Sequence, residues 1–564
     1  MSYAWNKLPP IRVASPVLSL AVGPGGLWAG GHGGVAWLPT AGAWQPQLAG
    51  LPLTSIAALA YAGGWLLAGG AEGIARSSNG GRDWQLAHIQ GETGGVAALV
   101  CSPRFSEDTT ALAATLAGGV VRTTDAGAHW RPATFGMQSS EAVALAWGAG
   151  ETVFAATADG VYRSPNAGRA WRLCEPTEDA PISAIAVLPD ATVIAAVERG
   201  GLIYSRDCGE NWTHYTVPPD IELTALLATP KSLLLGTIHH GILQSTNDGE
   251  TWQRVGEGIV LAFAAGQCEL YAGTMTGACG SADGSQSWQP LPTPPLHDLR
   301  RFVSTKDMLL IAGVNAPPVH YTSAKSWIEL KAVPLPLAGL AAAPDGALIA
   351  SSPDGLFRSS DNGQSWHTVI PGEAGCVAQF TFRGDGTGWA GSADASRLLR
   401  TGNAGRSWQP LESPFGVLPL AALQATADSL FAATFDPRRQ IAQLWRSDDD
   451  GSHWQRGAEV GTRWPIVATH SQPPLLTLGG TILVQTTEGA WEQVSLGGAG
   501  VRRVLGDQSG LLALAEDGVF SSLDSGKTWS RDGTGLPLDQ VIDLAQHNGE
   551  LYALLAGGEV WVAE

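Results

Sequence analysis

The sequence predicts an all-β fold, and three observations carry that prediction. Gly accounts for 72 of the 564 residues, nearly twice its usual share of roughly 7%. Short apolar or alternating runs separated by glycine-rich turns recur along the chain, as at 55–60, 65–68 and 74–77, while no segment keeps a helical period. Tryptophans recur every 36 to 46 residues. A period near 40 residues is typical of a repeat built from four short strands.

The repeat is centred on the pattern Ser/Thr-x-Asp/Asn-x-Gly-x-x-Trp, which we call the tryptophan box. Nine copies end at Trp84, Trp130, Trp171, Trp212, Trp252, Trp366, Trp408, Trp454 and Trp529. A tenth copy ends at Trp288 and has Ser285 in place of Gly, and eroded copies end at Trp44, Trp327 and Trp491. In the ten better copies the Asp or Asn is Asn79, Asp125, Asn166, Asp207, Asn247, Asp283, Asp361, Asn403, Asp449 or Asp524.

The residue types of the box favour a structural role for these ten side chains. Asp and Asn accept hydrogen bonds from backbone N–H groups of their own turn. Gly permits a positive φ, and Trp supplies a large apolar surface that anchors the turn. Four of the ten positions carry Asn, which a metal site or a catalytic acid would not freely tolerate. We therefore expect turn formation rather than ligand binding.

The boxes resemble Asp-box (BNR) repeats, which occur in sialidases, sortilin-type receptors, xyloglucanase-type glycoside hydrolases and photosystem II assembly-factor-like proteins. The resemblance covers essentially the whole chain, and the segment 102–130 is most similar to the non-enzymatic bacterial members. It implies a β-propeller in which each box lies between the third and fourth strands of a blade. Such a motif is specific for the fold and says little about activity.

The number of repeats predicts two tandem seven-bladed propellers. Fourteen tryptophans occupy the box position, and a single ring holds about 4–8 blades. The predicted domains are residues 1–284 and 285–564. Two routes of closure stay open: each ring closes locally near 281–287, or the second ring is inserted and the chain termini meet in the first ring, an arrangement similar to the tandem layout of xyloglucanase-type enzymes. Pairing of the first and last strands would remove open sheet edges.

Composition excludes several classes of function. A net charge of −18 and only six lysines argue against a nucleic-acid-binding protein. No apolar stretch of 18 residues predicts a membrane span. The beginning of the chain is a poor signal peptide, and the six cysteines are widely spaced, so we expect a cytoplasmic protein.

The sequence offers no catalytic, metal or cofactor residue. The arginine triad of sialidases and the glycine-rich entry to the first catalytic aspartate of xyloglucanase-type enzymes are not found. Asp159 and Asp354 precede glycines, which indicates hairpin turns. His239 and His240 are adjacent in a predicted strand and would point to opposite faces. The residues therefore favour a protein without enzymatic activity, and an activity, if there is one, is expected to be that of a glycoside hydrolase.

The candidate partner-binding residues are Arg438, Arg439, Arg463 and Trp464, because Arg and Trp are frequent in binding hot spots and cations are scarce here. The leading hypothesis is a non-enzymatic scaffold or assembly factor that binds a protein partner on a propeller face or in the cleft between propellers. The alternative is a glycoside hydrolase or carbohydrate-binding protein that uses that cleft. A sortilin-like receptor module is a third hypothesis, which would require a signal peptide and paired cysteines.

Overall fold

A computed structural model of the chain describes residues 5–563 with several gaps. The residues outside the description are 1–4, 12, 49, 175–176, 178–180, 189, 198–200, 216–220, 248, 267, 417, 437–438, 462–466, 472–473, 479–480, 486–490, 497–500, 508–509, 516–517, 533–535, 538–539 and 564.

The fold is almost entirely β-structure, as the sequence predicts. The described residues form thirteen four-stranded sheets and one five-stranded sheet. Helical segments are short, for example α1 (Phe105–Asp108) and a 3-10 turn (Glu373–Gly375). Within the described part of the chain, no helix has the length and apolar character needed to cross a membrane.

The chain divides into two compact units. The first unit is Ala14–His297, and the second unit is Met1–Val13 together with Asp298–Glu564. Strand β1 (Trp5–Lys7) belongs to the second unit. The sheets of the first unit are sheet 1 (β2 Ser19–Gly23, β3 Gly26–Gly31, β4 Gly34–Pro39, β5 Gln45–Pro46), sheet 2 (β6 Ala58–Ala62, β7 Trp65–Gly70, β8 Gly73–Ser77, β9 Gln85–Leu86), sheet 3 (β10 His88–Ile89, β11 Val96–Cys101, β12 Ala111–Thr115, β13 Gly119–Thr123, β14 His129–Pro132), sheet 4 (β15 Ala142–Trp147, β16 Val153–Thr157, β17 Gly160–Ser164, β18 Arg172–Leu173), sheet 5 (β19 Ile182–Val187, β20 Val193–Val197, β21 Gly201–Ser205, β22 Thr213–Tyr215), sheet 6 (β23 Leu223–Ala228, β24 Leu233–Thr237, β25 Ile242–Ser245, β26 Gln253–Gly256) and sheet 7 (β27 Val260–Ala265, β28 Leu270–Thr274, β29 Gly277–Ser281, β30 Gln289–Pro290).

The second unit has the same organisation. Its sheets are sheet 8 (β31 Arg301–Ser304, β32 Leu309–Ala312, β33 Val319–Tyr321, β34 Trp327–Glu329), sheet 9 (β35 Gly339–Ala342, β36 Leu348–Ser352, β37 Gly355–Ser359, β38 His367–Pro371), sheet 10 (β39 Gln379–Phe382, β40 Gly388–Gly391, β41 Leu398–Thr401, β42 Gln409–Leu411), sheet 11 (β43 Leu420–Ala425, β44 Leu430–Asp436, β45 Ile441–Ser447, β46 Gln455–Gly461), sheet 12 (β47 Val467–Ser471, β48 Pro474–Leu478, β49 Thr481–Gln485, β50 Trp491–Ser495), sheet 13 (β51 Val501–Asp507, β52 Gly510–Ala515, β53 Gly518–Ser522, β54 Ser530–Asp532) and sheet 14 (β55 Val541–His547, β56 Glu550–Leu555, β57 Val560–Ala563, with β1).

The two ends of the chain meet in sheet 14. Strand β1 pairs antiparallel with β57, placing Trp5 opposite Ala563, and Nζ of Lys7 lies 2.6 Å from Oε1 of Glu559. The sequence predicts domains over 1–284 and 285–564, whereas the compact units are 14–297 and 1–13 with 298–564. Strand β1 covers the edge of β57 and becomes an edge strand of the sheet. The two chain ends therefore meet in the second unit, whereas one of the two predicted routes of closure has them meet in the first ring.

Within each unit, one strand of each sheet contacts its equivalent in the next sheet, and we call these the inner strands. In the first unit the contacts run through β2, β6, β11, β15, β19, β23 and β27, and β27 contacts β2. In the second unit they run through β31, β35, β39, β43, β47, β51 and β55, and β55 contacts β31. Each set of inner strands is therefore a closed cycle.

The core lies between neighbouring sheets of each unit. Leu67 and Ile74 of sheet 2 belong to one buried cluster with Val96, Val121 and Trp130 of sheet 3. Trp130 is 0% exposed. The alternation of side chains along each strand thus supplies one face to the preceding sheet and one to the following sheet.

Candidate functional site

The predicted partner-binding cluster falls mainly on residues that the structure does not describe. Arg438, Arg463 and Trp464 lie outside the described residues. Arg439 lies in the turn between β44 and β45 and is exposed. Its backbone N–H donates to Oδ1 of Asp436 at 3.0 Å. The cluster stays a prediction.

The ten tryptophan boxes share one hydrogen-bond pattern. In sheet 3, Oγ1 of Thr123 donates to Oδ1 of Asp125 at 2.8 Å and accepts the N–H of Gly127 at 3.1 Å. Oδ1 of Asp125 also accepts the N–H of His129 at 3.0 Å. The two bonds to the Asp or Asn oxygen recur at Asn79, Asn166, Asp207, Asn247, Asp283, Asp361, Asn403, Asp449 and Asp524. Because these bonds close within eight residues, each box is a self-contained turn.

Where the seventh residue of the box is Ser or Thr, its side chain complements either Asp or Asn. Nδ2 of Asn403 donates to Oγ of Ser407 at 2.9 Å, whereas Oδ2 of Asp283 accepts from Oγ of Ser287 at 2.6 Å. A hydroxyl group can donate or accept, so the same neighbour satisfies both side chains. Exchange of Asp and Asn between boxes therefore has a hydrogen-bonding explanation that involves no ligand.

These bonds lower the pKa of the box carboxyl groups. The side-chain bond from Asn211 is the main cause for Asp207, and the bond from Ser287 is the main cause for Asp283; each pKa is about 2. For Asp125, burial opposes the shift, but bonds from the N–H and ring of His129 lower the pKa to about 2. Carboxylates that stay ionised in this way are poor general acids at neutral pH.

An arginine immediately before the box links neighbouring sheets. Nε of Arg122 donates to the carbonyl oxygen of Ala167 in the next box at 2.9 Å, and Nε of Arg358 donates likewise to Ala404 at 3.3 Å. Arginine occupies this position before six of the ten boxes: Arg76, Arg122, Arg163, Arg358, Arg400 and Arg446. This arginine position was not among the predicted site residues, although its recurrence is visible in the sequence.

Three arginines converge between sheets 3 and 4. Arg122, Arg131, Arg169 and His129 line a pocket of about 430 Å³, and we call these four residues the arginine groove. Arg122 lies on β13, Arg131 and His129 lie on β14, and Arg169 belongs to the box of sheet 4. Arg122 is half-buried, and the other three are exposed. The neighbouring boxes of sheets 3 and 4 thus bring these four nitrogen-containing side chains to one pocket.

The charges of the arginine groove are only partly balanced. Burial and then the charge of Arg169 lower the pKa of Arg122, and Asp108 and Glu151 oppose that shift. Nη1 of Arg169 lies 3.4 Å from Oε2 of exposed Glu151. In the described part of the chain, neither Arg122 nor Arg131 has a carboxylate within ion-pair distance. The groove is therefore a local excess of positive charge on an acidic protein.

Comparisons with known proteins show the fold. No protein-family model matches the chain, and no curated protein matches it. Among solved structures, a GH74 xyloglucanase from Xanthomonas campestris is similar at 17% identity with a TM-score of 0.62, covering 100% of both chains. A GH74 enzyme of Niastella koreensis is similar at 14% identity and TM-score 0.64, covering 100% of this chain and 99% of that one. PorZ, a surface component of the type-IX secretion system of Porphyromonas gingivalis, is similar at 14% identity and TM-score 0.51, covering 99% of this chain and 86% of that one. These likenesses support a β-propeller fold.

Proposed function

We propose that this chain is a non-enzymatic binding protein made of two tandem seven-bladed Asp-box propellers, and that its arginine groove takes an acidic segment of a protein partner. The observation that carries the proposal is the convergence of Arg122, Arg131 and Arg169 on one pocket of about 430 Å³. That volume falls in the range of roughly 300–1,000 Å³ typical of ligand pockets.

The seven-bladed architecture is supported by the cyclic contacts of the inner strands. Seven sheets fall within each unit of the described chain, and each cycle returns to its first member. The ten complete or nearly complete boxes lie between the third and fourth antiparallel strands of their sheets, as the resemblance to Asp-box repeats implies. Blades of this kind present their outer turns to solvent, where binding residues are commonly found.

Charge complementarity specifies the ligand. The chain has a net charge of −18, so a cluster of three arginines attracts an anionic ligand against the general field of the protein. Arginine binds carboxylates through two parallel N–H donors. Asp125, which also lines the groove, has both carboxylate oxygens bonded within its own box. The carboxylate of Asp125 therefore does not occupy the guanidinium groups. The group of Arg131 and the Nη atoms of Arg122 are available to an external carboxylate, and only the exposed side chain of Glu151 competes for Arg169.

An apolar side chain next to the groove favours a peptide over a free small anion. Phe135 is 79% exposed and lies two residues after Ala133, which lines the groove. Its carbonyl oxygen accepts the N–H of Trp171 at 2.8 Å, so its backbone is held in place. Aromatic anchors beside charged contacts are typical of protein-binding surfaces.

The test is binding of a labelled short poly-Glu peptide, measured by fluorescence anisotropy, with a poly-Gln peptide of the same length as control. We expect Arg131→Gln to weaken poly-Glu binding by about tenfold, since a hydrogen bond to a charged group contributes roughly 1.5–3 kcal/mol. Arg169→Glu should abolish binding, whereas Arg406→Glu at the equivalent box position of sheet 10 should leave it unchanged. Equal binding of the two peptides, or equal loss in both charge reversals, would contradict the proposal.

A second candidate function is glycoside hydrolysis, and the full-length likeness to the two GH74 structures favours it. The test is turnover of a xyloglucan-oligosaccharide panel by the unmodified chain. Hydrolysis that persists in Arg131→Gln and Arg169→Glu would support this candidate and would leave the arginine groove without a part in it.

A further inference from the structure

A second charged cluster lies on three neighbouring inner strands of the second unit. Arg301 begins β31, Arg503 lies on β51 and Asp543 lies on β55. Strand β55 contacts both β31 and β51. We call these three residues the inner-strand cluster. It is separate from the arginine groove, which belongs to the first unit.

The carboxylate of Asp543 is already fully hydrogen-bonded. Oδ2 accepts the N–H of Phe302 at 2.6 Å, and Oδ1 accepts the N–H of Leu544 at 2.9 Å. Nη1 of Arg503 lies 3.1 Å from Oδ1 and 3.0 Å from Oδ2. Asp543 itself is 5% exposed. This buried carboxylate therefore needs no further donor, and it ties β55 to both neighbouring strands.

Arg301 is the unmatched member of the cluster. Across the described residues, its guanidinium group makes no hydrogen bond and no ion pair within 4 Å. The residue is exposed to solvent. Partial desolvation by neighbouring protein groups lowers its pKa, the charge of Arg503 lowers it further, and Asp543 offsets only part of the shift. Arg503 is thus paired with Asp543, whereas Arg301 is influenced by that carboxylate only at longer range.

The first unit shows that ring closure does not require these charges. In eight inner strands, the register of pairing with the second strand of the same sheet shifts by one residue. In two of these strands, β51 and β55, the residue directly after the shift is charged: Arg503 and Asp543. The residues at the same position in the other six strands are Ala98, Ala144, Ala184, Ala225, Ala262 and Ala422. Because burying an ion pair costs desolvation energy that alanine avoids, the charges need an explanation beyond packing.

We propose that Arg301 and Arg503 form a binding site for a small oxyanion, a carboxylate or phosphate group, on the inner strands of the second unit. The cluster carries two positive charges and one negative charge, so one bound oxyanion balances it. Guanidinium groups present planar, paired donors that match both carboxylate and phosphate. Asp543 holds Arg503 in position, and Arg301 supplies the unengaged donors. This site goes beyond the proposed peptide binding and does not depend on it.

The test is isothermal titration of the full chain with inorganic phosphate and, separately, with succinate, at constant ionic strength set by NaCl. We expect saturable binding of at least one of the two anions, and Arg301→Gln should weaken it by about tenfold or more. Arg301→Lys keeps the charge and should lose less affinity than Arg301→Gln. Which anion binds distinguishes a phosphate ligand from a carboxylate ligand.

Arg131→Gln in the arginine groove is the matched control, since it also removes one exposed guanidinium group. Binding that disappears in Arg131→Gln and survives in Arg301→Gln would assign the anion to the groove and overturn the proposal. The absence of saturable binding of both anions to the unmodified chain would overturn it as well. Unchanged thermal unfolding midpoints of Arg301→Gln and Arg301→Lys without anion would establish that both variants are folded.

Discussion

The junction between sheets 3 and 4 and the junction between sheets 9 and 10 are built from the same parts. In each, an arginine before one box, Arg122 or Arg358, donates to a carbonyl oxygen in the next box. In each, the sixth residue of that next box is also an arginine, Arg169 or Arg406. The two junctions therefore place equivalent guanidinium groups on equivalent backbone.

They differ in one carboxylate. Oδ2 of Asp345 lies 2.6 Å from Nη2 of Arg358 and 2.9 Å from Nη2 of Arg406, so it forms an ion pair with both arginines. In sheet 3 the equivalent loop, between the first two antiparallel strands, contains Asp108. That carboxylate instead accepts from Oγ of Ser102 at 2.7 Å and from the N–H of Thr110 at 2.9 Å. Positions in and immediately before the boxes therefore supply the arginines at both junctions. A carboxylate on a separate loop either pairs with them or leaves them to bind a ligand.

The largest expected effect concerns the tryptophans beneath the two junctions. Trp130 is fully buried and its indole N–H donates to the carbonyl oxygen of Gly127 at 3.0 Å, whereas Trp366 is only half-buried. We expect Trp130→Ala to lower the free energy of unfolding by about 3–5 kcal/mol because it leaves a large cavity. Trp366→Ala should lower it less. Urea unfolding followed by circular dichroism measures both, and equal losses would show that burial of the anchor does not distinguish the junctions.

The tryptophan box made most of the fold predictable from the sequence. The hydrogen bonds of the box join residues within one turn. The residue types at Thr123, Asp125 and Gly127 are therefore enough to predict these bonds. Recurrence of that turn predicts four-stranded sheets. The fifth strand of sheet 3, where β10 pairs in parallel with β14, has no such local pattern and was not predicted.

The candidate sites depend on contacts between distant residues, so the sequence did not reveal them. Whether Arg122 is neutralised depends on the direction in which Asp108 points, and that direction is set by the loop around Ser102. Arg301 and Asp543 are brought together because sheet 14 lies beside sheet 8, although more than two hundred residues separate them in the chain. Residue type alone does not encode such proximity.

A smaller effect is expected from removing the distinguishing carboxylate. Asp345→Asn should lower the free energy of unfolding by about 1 kcal/mol, since a partly exposed ion pair contributes little more than that. It should also make the junction of sheets 9 and 10 resemble the arginine groove, with poly-Glu peptide binding increased several-fold. Urea unfolding and anisotropy with the same peptide measure the two effects. If peptide binding stays unchanged while stability falls, neutralisation by Asp345 is not what separates the junctions.

The smallest expected effect is a pH dependence of stability that arises from the box carboxylates of the two junctions, Asp125 and Asp361. Both have a lowered pKa: for Asp125, bonds from His129 outweigh burial and the pKa is about 2, and for Asp361 the side-chain bond from Ser365 is the main cause. A carboxyl group whose pKa is lower in the folded chain stabilises it above the unfolded value of about 4, and this contribution disappears as the pH falls towards 2. The difference in urea midpoint between the unmodified chain and Asp125→Asn should therefore shrink between pH 5 and pH 2.5. At pH 7, Asp361→Asn should change the urea midpoint less than Asp125→Asn does. The reason is that an Asn in this position can donate to the Ser hydroxyl group, as Asn403 does to Ser407 in the adjacent box. A difference that stays constant over this pH range would mean that the charge of the box carboxylate contributes nothing and that its oxygen atoms alone hold the turn.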